Sequence, residues 1–386
     1  MKNVLEFMKR EVVLLAALTL AAISACMIPP DREYGEYIDF RTLAILFCLM
    51  CVMGGLQKIG VFRWIAQGLL GKVRSVGMLV QVLMLLCFFS SMLITNDVAL
   101  ITFVPFTFTV LGMMGGEQRR KLALPLVALQ TMGANLGSML TPIGNPQNLY
   151  LYGRSGMSMG SFFRLMLPYA GCSLVLLLVW GLILGKRCSG EWKPGSGKDQ
   201  REKVFRPGAV VIPLSVYLGL FLLCLLAVAH VLPWQGILGI VLAAILIMDR
   251  SVLKKVDYSL LLTFVGFFVF IGNVGRIPAF RSFLQGVVEG REVYAAIGAS
   301  QVISNVPAAL LLSGFTENVG QLIIGVNLGG LGTLIASMAS LISYKYVAKE
   351  EGSRKGTYIG IFTVGSLCLL GLLLGFHLVV GSLRSL

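Results

Sequence analysis

Two stretches decide the reading of this chain. The first runs Ser90-Ser91-Met92-Leu93-Ile94-Thr95-Asn96-Asp97-Val98-Ala99-Leu100, then Gly133-Ala134-Asn135-Leu136-Gly137, then Thr141-Pro142-Ile143-Gly144-Asn145-Pro146. The second runs Ser304-Asn305-Val306-Pro307-Ala308-Ala309-Leu310, then Gly325-Val326-Asn327-Leu328-Gly329-Gly330. In both, a polar break interrupts an apolar run and a Gly-x-Asn-Leu-Gly segment follows. An amide side chain in hydrocarbon is costly unless its hydrogen bonds are met, and Gly or Pro there frees backbone groups that must find partners. Such segments are tolerated where they line a cavity, so both stretches are read as parts of one polar site.

The surroundings are those of a membrane protein. Of 386 residues, 56% are hydrophobic and 13% charged, which excludes an ordinary soluble domain. A helix needs about 20 apolar residues to cross the bilayer core. Spans are expected to start near Val12, Leu43, Ala123, Phe162, Ala209, Gln235, Leu260, Val319 and Thr357, together with two hairpins. The first is expected to stay as a helix, because no small-residue cleavage site precedes Pro29-Pro30.

Following the alternation of spans with the N-terminus cytoplasmic, 24 of the 32 Lys and Arg fall on one side. That is the positive-inside rule, so the net charge of +14 orients the chain in a plasma (inner) membrane and is no sign of a nucleic-acid partner. The eight Cys stand singly, with no zinc or disulfide spacing. A lone His377 in the last span reads as packing or interface.

The chain also repeats itself. Gly54, Ile59, Phe62, Arg63, Gln67 and Gly68 recur at one offset as Gly272, Ile277, Phe280, Arg281, Gln285 and Gly286. Each copy reads as a span followed by an amphipathic interfacial helix. Five crossings separate the copies, which gives them opposite orientation, a hallmark of secondary transporters. The expected organisation is an N-terminal helix and outer loop (1–42), a first repeat (43–185), a cytoplasmic linker (186–208), two connecting helices (209–259) and a second, inverted repeat (260–386).

The hairpin from Val293 to Phe315 has arms of about 11 residues, too short to span, so it re-enters from the outer side. The hairpin from Gly77 to Met113 has longer arms, and symmetry favours re-entry from the inner side. Each hairpin precedes a broken span: Pro142 and Pro146 unwind Thr141 to Asn145, and Gly329 to Thr333 do so by flexibility. Unwound carbonyls suit a hard cation and half-helix N-termini suit an anion.

The paired Asn tips and Gly-x-Asn-Leu-Gly followers resemble those of the ion transporter superfamily, which includes divalent anion–sodium symporters, citrate permeases and arsenite permeases. The resemblance extends over nearly the whole chain from Leu43. It implies an all-α polytopic fold with an inverted-topology repeat, two re-entrant hairpins and two broken helices. It also implies a homodimer, an elevator motion, and cation sites built from each tip and its neighbouring loop. Carried over, the cation residues are Thr95, Asn96, Asp97, Gly133, Asn135, Thr141, Gly144, Ser304, Asn305, Asn327, Gly329 and Gly330. The substrate residues are Thr95, Asn96, Asp97, Pro142, Asn145, Ser304, Asn305 and Thr333. The coupling ion is Na⁺ or H⁺, no further cofactor is expected, and the partners are a small anionic substrate and membrane lipid.

The symporters' tips resemble Ser-Asn-Thr twice, whereas this chain has Thr95-Asn96-Asp97 and Ser304-Asn305-Val306. The Asn-Asp pair looks more like the arsenite permease branch. A carboxylate at Asp97 repels a dicarboxylate unless it is protonated or paired with a cation. Two readings of Asp97 stand side by side: a cation-binding or proton-coupling group, and a cap of the second hairpin helix. Coupled anion transport leads, with cation/proton exchange through Asp97 and a passive channel as the alternatives. An intramembrane enzyme lacks a catalytic cluster, and a primary pump lacks a nucleotide motif.

Overall fold

The computed structural model describes residues 11–188, 207–350 and 354–384, so most of the expected linker, 189–206, lies outside the described residues. The described chain is all-α. The N-terminal part comprises α1 (Val12–Met27), α2 (Phe40–Ile59), α3 (Val61–Leu70), α4 (Val76–Ile94), α5 (Asn96–Leu111), α6 (Gly116–Ser138), α7 (Pro146–Ser155) and α8 (Met159–Arg187). There follow α9 (Pro207–Val228), α10 (Trp234–Met248), α11 (Tyr258–Gly275), α12 (Pro278–Val288), α13 (Glu292–Ile303), α14 (Asn305–Ser313), α15 (Val319–Leu328), α16 (Met338–Lys349) and α17 (Lys355–Arg384).

Among the described residues, six helices are long and apolar enough to cross a membrane: Phe40–Ile59, Val76–Ile94, Met159–Arg187, Val211–Val228, Tyr258–Gly275 and Lys355–Ser382. Most expected starts fall within three residues of the helix ends. The exception is α6, which begins at Gly116 rather than near Ala123, because the polar turn Glu117 to Lys121 continues the helix beyond the apolar run. The helices from Val12 and Trp234 have 16 and 15 residues, shorter than a full crossing.

The repeat extends to the caps. Asp39 accepts from the Thr42 N–H and starts α2, and Asp257 accepts from the Leu260 N–H and starts α11, at the same offset as Gly54 and Gly272. Gly60, at φ +89°, turns the chain from α2 into α3, a conformation that glycine adopts without strain. α3 buries Phe62 and Ala66 and leaves Trp64, Ile65 and Leu69 exposed, as an interfacial helix does.

Two packing groups emerge. α1, α2 and α9 to α11 lie against one another. The hairpins α4/α5 and α13/α14 pack with the split helices α6/α7 and α15/α16 and with α8 and α17. Polar clamps fix the first group. Arg41 Nη2 donates to the Ala227 and Val228 carbonyls at the end of α9, at 3.1 and 3.2 Å, where the helix dipole favours a cation. Arg276 at the end of α11 reaches Asp31 at 2.6 Å and holds that carboxyl below its ordinary value. Lys58 does the same to Asp249 at 2.5 Å. Among the described residues, the side-chain hydrogen bond joining the two groups runs from Gln57 Nε2 to Thr102 Oγ1, at 3.2 Å.

His377 lies in α17, where its Nδ1 pairs with the Tyr169 hydroxyl of α8 at 2.7 Å, a packing contact as the sequence suggested. The cysteines form no disulfide among the described residues, and Cys188 is buried at the end of α8.

Candidate functional site: four half-helix pairs around a polar knot

Each hairpin turns on one residue. Thr95 sits at φ 67°, ψ 152° and Ser304 at φ 73°, ψ 154°, outside the usual range of any residue with a side chain. Such a backbone costs on the order of 1–3 kcal/mol and persists only where the surroundings impose it. The reward is geometric, since a single residue joins the C-terminus of one arm to the N-terminus of the next. Asn96 and Asn305 then open α5 and α14 and are buried.

Around these tips the broken helices unwind as expected, over Met139 to Asn145 and Gly329 to Ser337, the latter with a 3-10 turn at Leu334–Ala336. The Asn96 N–H donates to the Gly144 carbonyl at 3.1 Å, and Asn96 Nδ2 donates to Asn135 Oδ1 at 3.0 Å. The Thr141 hydroxyl donates to the Met92 carbonyl, and the Thr333 hydroxyl donates to the Gln301 carbonyl at 3.4 Å. The threonine tie between tip and loop thus recurs in both halves, while among the described residues the two Asn96 bonds have no counterpart at Asn305.

The halves are then tied to each other. Asn135 Oδ1 accepts from Ser337 Oγ at 3.1 Å, and its Nδ2 donates to Ser340 Oγ at 3.2 Å and the Gly330 carbonyl at 3.4 Å. Asn327 Oδ1 accepts from Asn145 Nδ2 at 3.0 Å, and its Nδ2 donates to Asn148 Oδ1 at 2.6 Å and the Ile323 carbonyl at 2.8 Å. Positions 135 and 327, 145 and 337, and 148 and 340 all differ by 192. Each follower Asn therefore bonds the mates of the residues its own mate bonds, as an internal two-fold relation requires.

Of the predicted residues, Thr95, Asn96, Gly144, Asn135, Asn145, Thr141, Ser304, Asn305, Asn327, Gly329, Gly330 and Thr333 lie in or beside this knot. Pro142 lies within the first loop, and Gly133 sits one turn deeper in α6, a built Cβ lying 3.5 Å from Met84. Asp97 is half-buried in the first turn of α5. Thr95 caps that helix instead, its hydroxyl accepting from the Val98 N–H at 3.5 Å. Among the described residues, no hydrogen bond or ion pair occupies the Asp97 carboxylate, so the capping reading fails here.

Ser138, Asn148, Ser337, Ser340 and Gln301 complete the knot and were missed. Extending the 192-residue offset past the follower Asn brings out Asn148 and Ser340. Gln301 has no such signal: its Nε2 donates to the Gly329 and Leu331 carbonyls at 3.0 and 2.9 Å, while Oε1 accepts from the Thr333 N–H at 2.9 Å.

Four helix C-termini (α4, α6, α13, α15) and four N-termini (α5, α7, α14, α16) end in this one cluster. Carbonyl ends suit a cation and amide ends an anion. One hydroxyl is conspicuous: Ser304 is 2% exposed, and its Oγ has no hydrogen-bond partner among the described residues.

Comparison with known proteins agrees with this geometry. The profile of a family described as citrate transporters matches residues 4–339. The chain belongs to the citrate transporter family. Within the wider group, it is 32% identical over 329 residues to the inner membrane protein YbiR of Escherichia coli K12, covering 81% of this chain and 82% of that one. It is 33% identical over 322 residues to MJ0456 of Methanocaldococcus jannaschii, described as an uncharacterized transporter, with the same shares covered. It is 31% identical over 169 residues to the silicon efflux transporter LSI3 of Oryza sativa subsp. japonica, covering 42% of this chain and 34% of that one. This member of the citrate transporter family is thus a multi-pass membrane transporter and not an enzyme.

Proposed function

We propose that this transporter moves a small anion, a carboxylate or an inorganic oxyanion, coupled to Na⁺ or H⁺. The observation that carries the reading is the meeting of four carbonyl ends and four amide ends in one buried cluster, which offers a place to each sign of charge. The unpartnered Ser304 hydroxyl, buried at the C-terminal end of α13, supports a cation at the second hairpin tip. The unoccupied carboxylate of Asp97 supports an oxyanion that arrives neutral or with a cation, in line with the silicon efflux transporter among the relatives. An elevator motion is supported by the packing, because the two helix groups meet through apolar and aromatic faces such as Tyr150 on Phe264 and Phe268. A homodimer belongs to the same reading.

The experiment is transport current from purified protein in liposomes, challenged with carboxylates and inorganic oxyanions, with and without Na⁺ and at two pH values. A current that needs both an anion and a cation is the expected result; proton movement on adding Na⁺ without any anion would replace it by cation/proton exchange. Two substitutions sharpen the test. Ser304→Ala is expected to raise the Na⁺ concentration for half-maximal current about tenfold, the effect of one hydrogen-bond-strength ligand. Asp97→Asn keeps the shape and removes the charge; unchanged current and pH dependence in that variant would reject coupling through this carboxylate.

A further inference from the structure

The N-terminal ends of α6 and α17, on the side expected to be cytoplasmic from the distribution of Lys and Arg, border an open cavity of about 410 Å³ that the transport reading does not use. It is lined by Arg120, Lys121, Arg354 and Glu117 above and by Leu124, Pro125 and Ile361 below. The charges are not balanced. Glu117 pairs with Lys121 at 2.7 Å, and Arg119, on the same turn, pairs with Glu350 at 2.6 Å. Arg120 and Arg354 are exposed and have no carboxylate partner among the described residues. An adjoining cavity of about 440 Å³ shares Glu117 and Lys121 and adds Arg187 from the end of α8.

The floor discriminates between ligands. A free anion gains nothing from Leu124, Pro125 and Ile361, whereas an amphiphile places its acyl chains there. From Ile361 an apolar stripe continues along α17 through Val364, 64% exposed, to Leu367 and Leu372, at 50% and 55%. A charged rim above an apolar floor that opens onto a hydrocarbon-facing stripe matches a phospholipid in the cytoplasmic leaflet. Guanidinium groups pair with phosphodiester oxygens through bidentate hydrogen bonds.

We propose that this cavity is a binding site for an anionic phospholipid, with Arg120 and Arg354 on the headgroup phosphate and the acyl chains along Ile361 and Val364. The occupant would tie the first half of the broken helix α6 to the last helix α17. This assignment is independent of the transported substrate and of the coupling ion.

The test uses the full-length protein in detergent, with added phosphatidylglycerol or phosphatidylcholine of the same chain length, read by native mass spectrometry and by thermal unfolding. Phosphatidylglycerol is expected to remain bound at higher collision energy than phosphatidylcholine and to raise the unfolding midpoint. In Arg120→Gln/Arg354→Gln that preference is expected to fall roughly ten- to thirtyfold, given the usual contribution of two basic groups at an anionic headgroup. Equal retention of the two lipids by the unaltered protein overturns the proposal, whether or not the variant folds. A preference that survives in the variant, or a midpoint shift reproduced by inorganic phosphate alone, overturns it as well, the latter in favour of a free-anion site.

Discussion

Gly137→Ala is expected to yield almost no monodisperse protein, while its internal mate Gly329→Ala is expected to fold and to be rescued in part by a second change. A Cβ at position 137 would stand 2.0 Å from the Phe88 carbonyl oxygen and 2.8 Å from Ser91 Oγ. The first obstacle is backbone of α4, which cannot swing aside, so the hairpin must separate from α6. Ordinary overpacking costs about 1–3 kcal/mol, and displacing a backbone group in the hairpin should exceed that. At position 329 the Gly325 carbonyl oxygen of the preceding turn lies at 2.9 Å, but the nearest obstacle is a side chain, Ser300 Oγ at 2.6 Å and Cβ at 2.9 Å. Ser300→Gly removes both, at a helix-propensity cost of about 0.5–1 kcal/mol. The double variant Gly329→Ala/Ser300→Gly should therefore melt above Gly329→Ala alone. Gly137→Ala/Ser91→Gly should not recover, because the Phe88 carbonyl remains. Fluorescence-detected size exclusion and thermal unfolding in detergent read both pairs. A Gly137→Ala protein as stable as the parent would mean that α4 and α6 do not approach so closely.

The contrast shows what the sequence could and could not disclose. Breaks such as Thr95-Asn96 and Ser304-Asn305 stand out because polar residues in an apolar run need a structural reason. The inverted repeat stands out because Arg63 and Gln67 return as Arg281 and Gln285 where composition alone would not place them. The hairpins, the broken helices and most of the knot follow from those two signals. What does not follow is which partner each amide finds. Asn135 and Asn327 look alike in their Gly-x-Asn-Leu-Gly segments, yet in the opposite half one bonds the side chains of serines and the other those of asparagines, a choice set by packing between segments some 190 residues apart. Gln301 is likewise invisible, since a glutamine near a helix end reads as an interface residue until the loop it braces is in place. The start of α6 was misjudged because hydropathy marks the bilayer edge and not the end of a helix.

The same difference in partners predicts unequal results for the two follower asparagines. Replacing either with Leu should be severe, because several buried polar atoms lose a partner at about 1–3 kcal/mol each. Replacing either with Asp is the finer test, since both variants bury a carboxylate and differ only in what faces the oxygen that replaces the amide nitrogen. At Asn135 that oxygen meets the hydroxyl of Ser340, which can rotate and donate, while Asn96 Nδ2 and Ser337 Oγ still donate to the other oxygen. One longer contact, to the Gly330 carbonyl, is lost. At Asn327 the new oxygen faces Asn148 Oδ1 at 2.6 Å and the Ile323 carbonyl at 2.8 Å. Asn148 cannot flip to help, because its Nδ2 is directed at the Met139 and Thr141 carbonyls at 3.3 and 3.1 Å. Two acceptors then confront a carboxylate with no hydrogen between them. Asn327→Asp is accordingly expected to unfold at a markedly lower temperature than Asn135→Asp, by the equivalent of about 2–3 kcal/mol. Asn327→Asp/Asn148→Ser should regain part of the loss, because a hydroxyl at 148 restores the arrangement found at 340. Equal melting of the two single variants would show that the Asn327 amide nitrogen does not face Asn148 Oδ1 and the Ile323 carbonyl.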